Sequence, residues 1–373
     1  MPLPNFQSLI DRLRAAQPIT DFHAFVGFDG YVDKIQKVVE SKSALGNQYM
    51  GGISELAALI HSLSGKSGQI ELVTEATKIG GNAPIMAHAL ASLGITNWCV
   101  GTLSDPIFEQ MHPHCERVSL GPPAESNALE FGDGKVILSE VSVFERLRWS
   151  YLAHTIGIDT LRQQYAQSQL LAFVDWANLP HGNDLWEGYL TQIVQTTPTD
   201  NPPLFFFDLC DPTKRSAKDI REALDIVARY IPFGSVTLGM NENEARRIYL
   251  ALSGHSPADT IRLSQTPDLA IIAAYIHQHT GIPTVLIHPT DCSLVATSEG
   301  ICQVAGRLVP HPKVLTGGGD NLNAGFCWGL LTGYPLADCL LLGMASSGAY
   351  IQKGISPTRS DLADYLENWL LEL

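Results

Sequence analysis

An α/β fold with a mainly parallel central sheet is the class this sequence predicts, on three observations. Short apolar runs that end in polar or turn residues alternate with amphipathic helical stretches over most of the 373 residues. One strong hairpin signal, Gly132-Asp133-Gly134 between two alternating runs, interrupts that rhythm. The C-terminal third then reads as helical.

The elements follow in order. FHAFVGF (22–28) reads as the first strand. LLAFVDWA (170–177), PLFFFDL (203–209), SVTLGM (235–240) and PTVLIH (283–288) read as further buried strands. Helical spacing covers Pro84–Leu93, Asp219–Tyr230, Glu242–Leu252 and Leu269–Thr280. Residues 97–145 differ: NWCVGTLSD, a Pro- and His-rich stretch, then SNALEF and KVILSEV joined by the Asp-Gly turn. A hairpin has no obvious place in a parallel sheet. We therefore expect 31–50 and 97–145 to form a small β lid, with 1–30, 51–96 and 146–373 as the core; an edge extension of the main sheet is the alternative. Asp320–Leu331 places Leu322, Phe326 and Leu330 four residues apart, and Leu336–Ile351 is rich in Gly, Ala and Ser. Asp361–Leu371 carries Leu362, Tyr365, Leu366, Trp369 and Leu370 on one stripe, after Pro357 and Thr358. No internal repeat is present.

Composition narrows the partners. The chain is 45% hydrophobic and 17% charged, ordinary for a globular protein. Its net charge of −14 comes without a Lys/Arg cluster, which argues against nucleic acid or an anionic membrane as partner. No apolar run reaches the ~18 residues of a membrane span; the longest, near Leu340, is broken by Gly343, Ser346 and Ser347. MPLPNFQSLIDRLRAAQPIT has an amphipathic patch but no basic flank leading into an apolar core, so no secretory leader is expected. The seven cysteines are odd in number, scattered and without a C-x-x-C, which favours reduced thiols in a cytoplasmic protein. His112, His114 and Cys115 in MHPHCER lack the second ligand pair of a structural zinc site.

The informative stretch is KVLTGGGDNLNAGF, residues 313–326. Gly317, Gly318 and Gly319 leave backbone N–H groups unshielded, and a helix is expected to start at once at Asp320. Unpaired N–H donors and the positive end of a helix make a cradle for an anion. An acid at that point can orient or deprotonate a hydroxyl lined up on phosphorus, which is most of what phosphoryl transfer requires. A tight loop with Asp320 as the helix N-cap fits the same residues, and spacing alone does not separate the two. No Walker A loop and no dinucleotide fingerprint occur.

TGGGDNLNAGF resembles the second signature of the ribokinase-like (PfkB-type) carbohydrate kinases, D-T-x-G-A-G-D-x-F-x-A-G-F. Gly317, Gly319, Asp320, Ala324, Gly325 and Phe326 match, with Thr316 and Asn323 at its variable positions. Other motifs agree in order. Ile79-Gly80-Gly81-Asn82, with Ala87, Ala89, Leu90, Ala91, Leu93 and Gly94, is similar to the first signature. Asp211-Pro212-Thr213-Lys214-Arg215 is similar to D-P-N-x-R, Asn241-Glu242-Asn243-Glu244 to N-x-x-E, and Gly354-Ile355-Ser356-Pro357 to a late G-A-x-x-S-x-P loop. The resemblance spans about residues 22–371 and implies a three-layer α/β/α core with a β lid.

Its implied roles are specific. Gly317–Gly319 would be the anion hole and Asp320 the catalytic base. Gly80, Gly81, Asn82 and either Asp33 or Asp29 would hold a sugar. Asn241, His288, Thr316, Gly317, Gly319 and Asn323 would face the nucleotide, with Asn241 and Glu244 tied to Mg²⁺ through water. The expected activity is ATP-dependent phosphorylation of a sugar hydroxyl. Three departures qualify this. The family's first-signature Asn falls on Ile85, and its Asp before the glycine turn is Val314, which puts a K⁺ site in question. Its T-x-G-x-x-G nucleotide turn falls on His288-Pro289-Thr290-Asp291-Cys292-Ser293, without glycines. A nucleoside or vitamin-alcohol kinase and a non-catalytic sugar- or nucleotide-binding protein therefore stay open, as do ADP or GTP as donor and a homodimer through the lid.

Overall fold

The computed structural model describes residues 5–15, 22–314 and 316–373. The rest of the N-terminal segment, 1–4 and 16–21, lies outside them. Among the described residues, fourteen strands form two sheets. In chain order they are β1 (His23–Gly27), β2 (Tyr31–Ser43), β3 (Gly46–Tyr49), β4 (Leu72–Gly80), β5 (Thr96–Gly101), β6 (Cys115–Ser119), β7 (Ala124–Phe131) and β8 (Gly134–Glu140). Then come β9 (Leu170–Phe173), β10 (Leu204–Asp208), β11 (Ser235–Met240), β12 (Thr284–Ile287), β13 (Cys292–Thr297) and β14 (Gly300–Ala305).

The large sheet has nine strands in the order β14-β13-β12-β11-β10-β9-β1-β5-β6. It is parallel from β12 to β6, with β13 and β14 antiparallel at one edge. Alternate side chains feed opposite layers. Ala24, Val26, Ala172 and Phe206 pack with the helices Asn82–Ser92, Gly318–Leu331, Leu336–Lys353 and Arg359–Leu370. Phe25, Phe173, Phe205 and Phe207 pack with Trp149–Ile156, Gly182–Gln192, Ala217–Ala228, Glu242–Leu252 and Leu269–Thr280. The result is the three-layer α/β/α arrangement, and burial on both sheet faces explains why the strands read as continuous apolar runs.

The second sheet has five strands. β2 lies between β4 and β7, β8 pairs with β7, and β3 pairs with the far end of β2. The Asp-Gly hairpin is β7–β8, closed by Phe131 opposite Gly134. Membership differs from the sequence expectation at both borders. Residues 72–80 sit in the small sheet as β4, not in the core. Residues 96–101 and 115–119 sit in the large sheet as β5 and β6, not in the lid. LVTEATKIG is too polar to read as a buried strand, because β4 has one open face.

The two faces of the small sheet differ. Val38, Leu129 and Val136 point to its back and pack with Leu56 of the helix Ile53–Ser62. Asp133 at the hairpin tip accepts the Ile53 N–H at 2.9 Å, pinning the hairpin to that helix. The front carries Lys78, Asp33, Ser126 and Ser139 in one cross-strand row.

Candidate active site

Five strands of the large sheet deliver polar residues to one edge. β1 runs on to Asp29, β9 to Asp175, and β10 ends in Asp208; Asn241 follows β11 and His288 follows β12. This is the carboxyl edge, where ligands of α/β sheets bind.

The glycine turn lies at this edge. Gly317, with φ 86°, is the N-cap of Gly318–Leu331 and brings no side-chain cap. The first intrahelical bond runs from Asn321 N–H to the Gly317 carbonyl at 3.1 Å. The N–H groups of Gly318, Gly319 and Asp320 are thereby left at the open helix end. Thr316 and Gly319 are exposed, while Asp320, the third helical residue, is only 8% exposed. Asp320 is therefore not an N-cap, and the capped-loop reading falls.

Asp320 lies among buried acids. Burial raises its carboxyl well above the usual range, and the charges of Asp208, Asp29, Asp175 and Glu244 push the same way. Asp208 is pushed up to about 6, by burial, against the lowering effect of the Cys210 N–H and the Asn323 amide. Asn323 is buried and donates to Asp208 at 2.8 Å, so it faces the acids rather than the open turn. Asp175 accepts from Asn178 at 2.6 Å and from the Tyr31 hydroxyl at 3.3 Å. Asp175 and Cys210 both hold left-handed backbones, with φ 59° and 58°, and both border this cluster. Strain of that kind concentrates at functional edges.

Asn241 and Glu244 form a reciprocal capping box. The Asn241 side chain accepts the Glu244 N–H at 3.0 Å, and Glu244 accepts the Asn241 N–H at 2.8 Å. Glu244 is buried, which excludes a solvent-facing helix position. The His288 ring touches the turn: a methyl group on Gly319 would meet its Cε1 at 3.4 Å. Burial lowers His288 to about 4, so its imidazole is neutral near pH 7, and Nε2 is shut from solvent without a partner.

The first-signature glycines make room for two acids. A methyl on Gly80 would lie 2.3 Å from Asp33 Cγ, and one on Gly81 would lie 2.6 Å from Asp29 Oδ2. The structure separates these acids. Asp29 accepts the N–H groups of Asn82 at 2.7 Å and Ala83 at 2.8 Å, so its carboxylate caps the helix Asn82–Ser92. Burial pushes Asp29 up to about 7. Asn82 takes part through its backbone. Asp33 instead stands on the front of the small sheet, half-buried, and burial pushes it up to about 6 against the pull of Lys135, Ser126 and Lys78. Lys78, Ile79, Ile85, His88 and Tyr350 line a cavity of about 340 Å³, with Gly354–Ser356 on its wall. Ile85 and Tyr350 reach the turn, within 3.3 and 2.9 Å of where a Gly317 methyl would lie.

Sequence reasoning missed Asp208, Tyr350 and Lys135. Asp208 ends an apolar strand as Asp175 follows one, a signal that was there to use. Tyr350 sits in an apolar helix and nothing local marks it. Among the described residues, no group of three His, Cys, Asp or Glu could hold a metal, and His112, His114 and Cys115 form no such group. No described helix is long and apolar enough to cross a membrane.

Comparison with known proteins identifies the family and the fold. The sequence model of the prokaryotic ketohexokinase family matches residues 12–369. A ketohexokinase of Haloferax volcanii is 27% identical over 351 residues, spanning 92% of this chain and 90% of that one. A probable sugar kinase from Rhizobium etli CFN 42 superposes with a TM-score of 0.63 at 18% identity, over 95% of this chain and 100% of that one. Ribokinase from Thermotoga maritima does so with 0.59 at 15%, over 93% and 99%. The fold is that of ribokinase, the activity class is carbohydrate kinase, and the chain belongs to the prokaryotic ketohexokinase family.

Proposed function

We propose that the protein transfers the γ-phosphoryl group of ATP to a hydroxyl of a ketohexose, with Asp320 as the base. The observation that carries this reading is the placement of Asp320: in the first helical turn, next to the exposed Gly319, at the sheet edge that Asp33 and the cavity adjoin. The name of the family and of its Haloferax volcanii relative supports a ketohexose as acceptor. The Arabidopsis thaliana ribokinase of the same fold, solved with ribose and ATP, supports ATP as donor.

In this mechanism Asp33 holds acceptor hydroxyls, and Ile85 and Tyr350 wall the cavity where the family's Asn would stand. Asp29 acts at one remove by fixing the helix start behind Gly80–Asn82. Asp320 takes the proton as the acceptor oxygen bonds to phosphorus and the bond from phosphorus to the departing ADP oxygen breaks. Negative charge on the phosphoryl oxygens meets the N–H groups of Gly317–Gly319 and the helix end. Burial raises the Asp320 carboxyl, which makes its ionised form a stronger base. The small sheet acts as a lid that keeps water, a competing acceptor, away.

Mg²⁺ fits the donor set. Asp208 and Glu244 are buried carboxylates in one acidic cluster, and a site with fewer than three protein ligands would suit an ion that keeps its waters and binds substrate phosphates. Asp208, with Asn241 and Glu244 through water, would hold it, and it would supply charge neutralisation.

The test is nucleotide consumption by purified protein with ATP, ADP or GTP and Mg²⁺, against ketohexoses, aldoses, nucleosides and polyols, with Asp320→Asn as control. Ketohexose-dependent turnover lost in the control is expected. Turnover retained by Asp320→Asn overturns the base assignment, and a nucleoside preference overturns the acceptor.

A further inference from the structure

Lys135 is the second residue after the pinned tip of the β7–β8 hairpin, and its ammonium crosses the gap between the two sheets. It donates to Thr316 Oγ1 at 2.8 Å, at the threshold of the glycine turn and 181 residues away in sequence. This is the hydrogen bond that ties the front of the small sheet to the turn. The surroundings make it unusual. The sheet edge below carries Asp29, Asp175, Asp208, Glu244 and Asp320, and the chain's net charge is −14. An anionic phosphoryl group entering there is repelled by these carboxylates, and a cation from the protein would offset that beside the glycine-turn N–H groups. Lys135 is already aimed at the turn, and the cross-strand register puts it on the face that carries Asp33 and Lys78. A Thr hydroxyl is a weak partner for an ammonium, and a phosphate oxygen is a stronger one.

We propose that Lys135 is the phosphoryl-contacting cation of this site: it exchanges Thr316 for an oxygen of the γ-phosphate when donor binds, and so couples closure of the small sheet to the presence of that phosphate. The proposal rests on the kinase reading above. Lys135 keeps its proton throughout and balances charge while the acceptor proton goes to Asp320. Its stem leaves β8 only two residues after Asp133, whose carboxylate is held by the Ile53 N–H, so the ammonium arrives on a fixed arm rather than a loose loop. Lys78, in the Asp33 row, faces the cavity lined by Ile85 and Tyr350 and is left to the acceptor side.

The experiment is calorimetric titration of wild type, Lys135→Met and Lys135→Arg with ADP and with a non-hydrolysable ATP analogue, each with Mg²⁺, backed by kcat and KM on the acceptor found above. The methionine variant should lose about tenfold or more of its affinity for the analogue while ADP binding stays within about twofold. Arginine should restore most of the difference, and kcat in the methionine variant should fall. A purely structural role would weaken both nucleotides alike or lower the melting temperature without separating them. Equal affinities of wild type and Lys135→Met for the analogue overturn the proposal. Wild type that binds both nucleotides but never turns over would instead overturn the kinase reading, so the two failures are distinguishable.

Discussion

At the scale of single residues, the proposed mechanism rests on Asp320 and the two first-signature glycines. Asp320→Asn keeps the shape of the side chain and removes the proposed base. It should lower kcat by about 10²–10⁴-fold with little change in melting temperature, since burial already works against the ionised form. Gly80→Ala should act on the acceptor alone. Its methyl would strike Asp33, so acceptor KM should rise about tenfold while nucleotide affinity holds. Gly81→Ala should cost fold stability as well, on the order of 1–3 kcal/mol, because φ 96° is strained for any side chain and Asp29 would be driven off its helix. Steady-state kinetics beside thermal melts separate these outcomes. Much of this was legible in the sequence: the glycine turn and its acid are contiguous, and Gly80-Gly81-Asn82 is a local word. The split between Asp29 and Asp33 was not. Both follow the first strand, and only the meeting of β2 with β4 decides which carboxylate caps a helix and which stays available.

Among the elements, the hairpin β7–β8 and the helix Ile53–Ser62 behave as one unit. Asp133→Ala removes the N–H partner of Ile53 and should cost about 1 kcal/mol. Hydrogen exchange should show that loss in the small sheet, with protection of β1, β9 and β10 unchanged; a uniform loss would mean that the hairpin is not a separate unit. The Asp-Gly turn announced this hairpin in sequence. Polar β4 announced nothing, because a strand with one covered face and no clean alternation gives a weak periodic signal. The capping box Asn241–Glu244 was visible as a pair of residue types, but its burial is a tertiary fact: the acid sits against Asp208, thirty-six positions earlier in sequence.

The whole molecule carries an electrostatic load. Asp29, Asp208 and Asp33 titrate in the fold near 7, 6 and 6, above their ordinary value of 3.8. The folded state therefore holds more protons than the unfolded chain between 3.8 and those values. Stability contributed by these groups is present below 3.8 and is lost as pH rises through them. His288, lowered to about 4, opposes this only between there and 6.5. From about pH 5 to about pH 7.5 the melting temperature should fall as Asp33, Asp208 and Asp29 lose their protons. Mg²⁺ should offset part of that fall, and an equal effect of Mg²⁺ on an Asp208→Asn, Glu244→Gln variant would refute its placement. The small sheet adds a mechanical consequence. Its strands leave the core at Tyr31, Gly80 and Ala124, which pair side by side in one row. That row is a fulcrum, and Asp33 sits two residues along the lever, Asp29 two residues behind it. A swing of the small sheet about it would pull Asp33 away from Asp29 in the same motion, so in the proposed mechanism the grip on the acceptor would open and shut with the hinge, and product release would share the stroke that admits the next substrate.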